Sequence, residues 1–355
     1  MQTIILKCKP NAQFHFGRIT LGEDATNLDD TSDYLHSDTL FSALINTAAM
    51  LYDKKEVNEF VEEFKNGNLI ISSAFYCLEI GEKWIYFLPK PVTCSILELP
   101  ESEHQFHKKY KKVAFISQTV WQKGIEPKDW NKECVFIQDH FLIHKDELQE
   151  YKTEEIEKLH IFSKISLPKV KVSTQDPKNR LYNQTNISIA DNKPFKVGKE
   201  KVFPNIHFYF LVKSKDEEAN YYKRLKLILE ILADTGIGGE RSVGCGKLEG
   251  IEIRENNFTV EEVDKNGFGA ISLVIPKEKE FETVQYYDLI TRGGRVIGKL
   301  PNEELERLKR IKMLKEGAVL QTEILGAASC ISPNDDIYLR NGLCFSLPLH
   351  KNYFI

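Results

Sequence analysis

Apolar positions change period along the chain, and the changes mark the elements. Thr3 to Cys8 is a short apolar run of strand type. A polar, acidic stretch follows at 23–33 and reads as a loop. Behind Ser37-Asp38-Thr39 the period becomes helical, with Leu40, Phe41, Leu44, Ile45, Ala48 and Leu51 on one face. Ser37 fits the cap of this helix and Asp38 its first turn, where the helix dipole favours an acid. Leu69 to Leu78 and Trp84 to Leu88 then read as strands, the second ended by Pro89-Lys90-Pro91.

From about 92 to 201 the pattern breaks into loops and short elements, the signature of an insertion. It holds an aromatic strand candidate, Val135 to Ile143, and the turn-rich Gln175-Asp176-Pro177-Lys178-Asn179-Arg180-Leu181-Tyr182-Asn183, which suits a hairpin tip. Ile206 to Val212 is again a strand. Tyr221 to Asp234 is a helix with Leu225, Ile228, Leu229 and Leu232 inward, and Leu248 to Ile253 is a strand. Apart from the insertion, this is the βαββαβ order of a ferredoxin-like sheet. A second unit is expected from about residue 260, with strands at Ala270 to Ile275, Tyr286 to Val296, Met313 to Leu320 and Leu339 to Leu349. The expected fold is therefore α+β, with a ferredoxin-like (RRM-like) domain at 1–259 and a second domain at 260–355.

Composition narrows the classes. The 355 residues are 42% hydrophobic and 11% aromatic, enough for two cores. A formal net charge of −4 gives no global nucleic-acid signature, but the basic residues cluster. The clusters are His104 to Lys112, the lysines 164, 169 and 171, Lys223 to Lys226, and, densest, Arg307 to Lys312. Any such run can also be simply a solvated face. The seven cysteines are scattered and form no C-x-x-C, and no run could span a membrane, so a cytoplasmic, reduced protein is expected.

The candidate chemistry centres on Gly236-Ile237-Gly238-Gly239-Glu240-Arg241-Ser242-Val243-Gly244-Cys245-Gly246-Lys247. Five glycines in eleven residues, 236–246, permit positive φ and close backbone approach. Consecutive N–H groups in such a bend can form an anion nest, to which Arg241 and Lys247 add charge. No register supplies the Walker pattern, and Arg241 stands where a dinucleotide fingerprint needs its third glycine. The plain alternative is a glycine-rich helix cap and bulge without a ligand.

Other candidates are thinner. His140 and His144, like His104 and His107, lack the intervening glutamate and a third ligand, so no metal is expected. His15 and His36 are the candidate bases for an RNA-cleaving reading, and Asp30 and Asp33 in the acidic loop could bind a metal or act on a 2′-hydroxyl. Lys265-Asn266-Gly267-Phe268-Gly269 half-matches an RNP1 strand but lacks its second aromatic.

Taken in order, Phe14-His15-Phe16-Gly17, Ser37 to Leu44, Ser73-Ala74-Phe75, Phe87-Leu88-Pro89-Lys90-Pro91, Asn179-Arg180-Leu181-Tyr182, the glycine stretch, Leu289-Ile290-Thr291-Arg292-Gly293 and Arg340-Asn341-Gly342 carry a resemblance. The chain resembles the RAMP superfamily of CRISPR proteins, specifically the type III-A (Csm) effector subunit that caps the crRNA at its 5′ handle. The resemblance implies two ferredoxin-like (RRM-like, βαββαβ) domains and a non-catalytic RNA-binding role without a cofactor. The implied partners are crRNA, the large Palm-domain subunit and a backbone subunit. Gly236, Gly238, Gly239, Arg241, Ser242, Gly244, Gly246 and Lys247 would cradle handle phosphates, with His15, Phe16 and Arg18 lining the same cleft. Arg180 and Tyr182 would lie on a thumb-like hairpin, and Arg292 and Arg295 are further candidates. The alternative within the superfamily is a repeat-processing endoribonuclease.

Overall fold

The computed structural model describes residues 1–17, 30–95, 99–171, 180–255, 258–260, 264–295, 307–332 and 338–354. Arg18 and most of the acidic loop fall outside the described residues, as do the side chains of Arg180 and Arg295.

The fold is mixed α/β and is built on one large sheet. Its first strand, β1 (Gln2–Lys7), lies inside the edge and is buried on both faces, as its apolar run requires. A second element, β2 (Gln13–Phe14), leaves this sheet for another. Then come α1 (Ser37–Leu51), α2 (Lys54–Lys65), β3 (Leu69–Ile71), β4 (Phe75–Ile80) and β5 (Lys83–Pro89).

Three local differences from the sequence reading have clear causes. Leu69 to Leu78 is not one strand. The Ser72 hydroxyl accepts from the Leu211 N–H at 2.8 Å, and Ser73 N–H turns away to the carbonyl of Ile271, so side-chain hydrogen bonds interrupt the ladder. Ser37 is not the cap of α1 but its first helical residue. His36 holds the cap position, and the Ser37 hydroxyl instead accepts from Leu273 N–H at 3.0 Å. Helix α2 is an addition to the expected elements, started by a capping box between Asp53 and Glu56.

The insertion supplies four short helices, α3 (His107–Lys112), α4 (Gln118–Lys123), α5 (Trp130–Glu133) and α6 (Thr153–Glu157). Its strands β6 (Phe115–Ser117), β7 (Cys134–Ile137) and β8 (Phe141–His144) extend the large sheet. Val135 to Ile143 is therefore a hairpin, not a strand. Gln138 and Asp139 both take φ 54° in the three-residue turn 138–140 that joins its strands. Next come the long antiparallel pair β9 (Phe162–Lys171) and β10 (Arg180–Ile189), with Arg180 opposite Lys171. A small pair, β11 (Phe195–Val197) and β12 (Glu200–Val202), completes the insertion.

The chain re-enters the large sheet as β13 (Pro204–Ser214), continues as α7 (Asn220–Thr235) and closes with β14 (Gly250–Glu255). The strand order is β14-β1-β13-β4-β5-β6-β8-β7, with β3 also on β13. Helices α1 and α7 pack together, and α7 buries Leu225, Ile228, Leu229 and Leu232, the face its period assigns.

The C-terminal part is a sheet of β15 (Lys265–Ala270), β16 (Val284–Tyr286), β19 (Val319–Leu320) and β22 (Ser346–His350), in the order β16-β19-β15-β22. Between these strands lie an arm, β17 (Leu289–Arg295) paired with β18 (Arg307–Leu314), and a short pair, β20 (Ser329–Cys330) with β21 (Leu339–Arg340). Among the described residues from 264 to 354 there is no α-helix, only short 3-10 helices at Glu278–Thr283 and Lys351–Tyr353. The helices expected in a second βαββαβ unit are not seen in this region. The apolar core crosses from one part to the other: Ile271, Val319, Phe345 and Leu347 belong to the same cluster as β1 and α7. Trp121 of α4, fully buried, donates to the carbonyl of Pro348 at 2.9 Å.

Candidate nucleic-acid interface

The glycine stretch leaves the end of α7 and folds back on itself. Gly236, Gly238, Gly244 and Gly246 all have φ between 77° and 93°, and Glu240 is left-handed at 57°. The base of the loop is closed by Ile237 N–H to the carbonyl of Gly246 at 2.9 Å. A Cβ on Gly246 would lie 2.1 Å from the carbonyl oxygen of Ile237, so only glycine permits the crossing. The tip is built differently. Arg241, Ser242 and Gly244 are exposed, Val243 is 59% exposed, and a Cβ on Gly244 would meet nothing within 4 Å. The loop is thus a buried clasp carrying an open, cationic tip. Arg241 and Lys247 have no ion pair among the described residues.

Segment 13–17 holds the loop in place. Gly239 N–H donates to the carbonyl of His15 at 2.8 Å, and Gly246 N–H to that of Gln13 at 2.7 Å. The same segment binds the long hairpin. β2 pairs with β10, and His15 Nδ1–H donates to the carbonyl of Thr185 at 2.8 Å. Asn186 Nδ2 donates to Gln13 Oε1 at 3.0 Å and lies 3.5 Å from Cys245 Sγ. Burial and the neighbouring Glu240 raise the pKa of the Cys245 thiol, with Lys169 of β9 and the hydrogen bond from Asn186 opposing them. Between the Lys9–Gln13 turn and Val243–Leu248 lies a groove of about 430 Å³, with Lys9 and Lys247 among its walls.

Two of the cleft-lining candidates are corrected. Phe16 is 2% exposed and packs against Phe14 and Phe208, so its ring belongs to the core. His15 is 3% exposed, its ring set between Thr185 and Gly239, and acts as a strut rather than a surface ligand. Tyr182 is half-buried on β10 opposite Lys169. Arg18 and the side chain of Arg180 lie outside the described residues.

Arg292 is the third correction. It is 5% exposed, and its guanidinium forks onto Asp38, Nε to Oδ2 at 2.9 Å and Nη2 to Oδ1 at 3.1 Å. Arg340 adds a bond to Asp38 Oδ2 at 2.6 Å. Asp38 is thus more than a helix-start acid: it is the buried anchor of two arginines from the C-terminal part. Burial alone would raise its pKa, but the two guanidiniums hold it far below the usual carboxylate range. Beside it, His36 Nδ1 donates to Glu316 at 2.8 Å, Tyr34 donates to the same carboxylate at 2.9 Å, and Ser73 does so as well. Burial opposes the charge of Glu316, yet His36 and Ser73 lower its pKa. Both candidate bases, His15 and His36, are therefore enclosed by the fold. Among the described residues no group of three metal-binding side chains comes together. No helix among them is long and apolar enough to cross a membrane.

The fold is thus a mixed α/β sheet with a bent glycine clasp at the end of α7, stitched to segment 13–17. A family model described as the RAMP superfamily matches residues 19–249, and the chain belongs to that superfamily. Within it the particular likeness is to Csm4: a model described as the CRISPR Csm4 C-terminal domain matches residues 264–349. A protein described as "CRISPR system Cms protein Csm4" from Methanocaldococcus jannaschii is 28% identical over 367 aligned positions, covering 95% of this chain and 90% of that one. Among solved structures, a chain of a Csm3–Csm4 subcomplex of the type III-A CRISPR-Cas interference complex superposes with TM-score 0.66 at 23% identity, covering 99% of this chain and 100% of that one. A chain of a Csm1–Csm4 cassette in complex with cA4 superposes at 0.56 and 15% identity, covering 99% and 98%.

Proposed function

We propose that this chain is the non-catalytic subunit of a cytoplasmic type III-A effector complex that holds the 5′ handle of the crRNA. It would bridge the large Palm-domain subunit to the backbone filament. The sheet order β14-β1-β13-β4, with α1 and α7 in the connections, supports reading the N-terminal part as ferredoxin-like. The likeness to chains solved with Csm3 and with Csm1 supports the two protein partners. The observation that carries the RNA reading is the open tip of the glycine clasp, where Arg241 is exposed and the space above Gly244 is empty. Such a tip suits a sugar-phosphate strand, which needs donors and cations at close range.

Arg241→Ala is expected to weaken handle RNA by about 1–3 kcal/mol without changing the melting temperature, as for removal of a charge-assisted hydrogen bond at an exposed site. Fluorescence anisotropy with handle and scrambled RNAs reads this directly. Equal binding of both RNAs by the parent and undiminished binding by the variant would overturn the proposal. The enclosure of His15 and His36 speaks against repeat cleavage. Incubation of the protein alone with unprocessed repeat RNA should leave the RNA intact.

A further inference from the structure

The densest basic run of the sequence is not used by the glycine clasp. It forms β18, and the β17–β18 arm divides it into two faces. Burial alternates in the middle of the arm, with Thr291 exposed and Arg292 buried on β17 and Ile311 half-buried between exposed Arg310 and Lys312 on β18; at the base of β18 both Met313 and Leu314 are buried. Thr291 lies opposite Lys312, and Leu289 opposite Leu314. The inner face is pinned by Arg292 on Asp38. The outer face carries Lys312 and Arg310, with Lys309 at its edge, all exposed and without an ion pair among the described residues. Tyr287 and Leu289, 50% and 53% exposed, extend it. Asp288, next to Leu289 in the chain, lies beside Lys90.

The arm also adjoins the clasp. Arg292 Nη1 donates to the carbonyl of Gly17 at 3.4 Å, and Gly17 stands two residues from His15, which pairs with Gly239. We propose that the outer face of the arm is a second RNA contact, taking single-stranded RNA as it leaves the glycine clasp. The inference rests on the handle reading for its direction, not for its chemistry. Cations with no ion pair among the described residues, on a chain of net charge −4, match a phosphate backbone, and an exposed tyrosine offers a face on which a base can stack. The anchored inner face makes the platform rigid, so little ordering is needed on binding.

The test uses the full chain and two labelled single-stranded RNAs, of about eight and about twenty-four nucleotides, on the scale of one and several binding sites. The double substitution Arg310→Gln with Lys312→Gln is expected to weaken the longer RNA roughly tenfold and to leave the shorter unchanged. The salt slope for the longer RNA should fall by roughly 1.4, about 0.7 for each phosphate no longer neutralised. Tyr287→Ala should weaken the longer RNA at least several-fold, a second readout at a different position. Arg241→Ala should weaken both RNAs. If the double variant and Tyr287→Ala bind the longer RNA as the parent does, the inference is overturned while the handle reading stands. If only Arg241→Ala is silent, the handle reading fails and the arm remains an RNA surface. Unchanged RNA affinity together with failed assembly into the effector would assign this face to a protein and overturn the inference.

Discussion

At the scale of single residues, the glycines of the clasp do two different jobs, and substitution should separate them. Gly246→Ala places a methyl group against the carbonyl of Ile237 in a left-handed backbone, so both sterics and conformation oppose it. A drop of about 3 kcal/mol or more in chemical denaturation is expected, beyond the usual penalty for a strained backbone position. Gly244→Ala meets open space and carries only the conformational penalty, about 1 kcal/mol. Its effect should fall on RNA affinity instead, since the added methyl occupies the space a strand would approach. Equal stability of the two variants would show that the clasp does not close as described. Asp38 gives the strongest residue-level prediction. Asp38→Ala leaves the guanidiniums of Arg292 and Arg340 buried without their carboxylate, and should cost about 3–5 kcal/mol by equilibrium denaturation.

At the scale of elements, segment 13–17 is the joint on which three candidate RNA elements meet: the glycine clasp, the β9–β10 hairpin and the β17–β18 arm. Its backbone serves the clasp, its histidine serves the hairpin, and the carbonyl of Gly17 serves the arm. Replacing His15 should therefore loosen the hairpin against the clasp rather than abolish a chemical step. His15→Ala is expected to raise hydrogen exchange at the root of β10, around Thr185 and Asn186, above that of the rest of the sheet. Exchange at β10 unchanged from the parent would remove the strut role. The hairpin is legible in the sequence through its turn residues, and the clasp through its glycines. The inward orientation of Phe16 is not, because an aromatic beside a glycine suits a ligand cleft and a core equally well.

At the scale of the whole molecule, the N-terminal sheet and the C-terminal part are joined by a shared core and by two buried carboxylates. Asp38 and Glu316 both have folded pKa values depressed below the ordinary carboxylate range. Groups shifted in that direction contribute stability above their unfolded values, near pH 4, and lose it as pH falls toward the folded values. Thermal stability should therefore be flat near neutrality and decline below about pH 4. Asp38→Asn should already be destabilised at neutral pH and show a shallower acid decline. An acid limb identical in parent and variant would mean that the pair carries no such linkage. Because both carboxylates sit between the two parts, acid should uncouple the parts as well as lower stability.

By itself, the sequence determined the elements whose signal is local. These are the strand β1, the periods of α1 and α7, the glycine clasp, and a family resemblance resting on short motifs in order. Periodicity and turn chemistry act over a few residues and need no knowledge of the rest of the chain. Only the tertiary structure decided which cations are available to a ligand. Arg292 and Arg310 stand in the same arm with the same charge, yet one is neutralised by Asp38, 254 residues away along the chain, and the other faces solvent. Ion pairing over such a distance is set by how the sheets pack, and no local pattern encodes it.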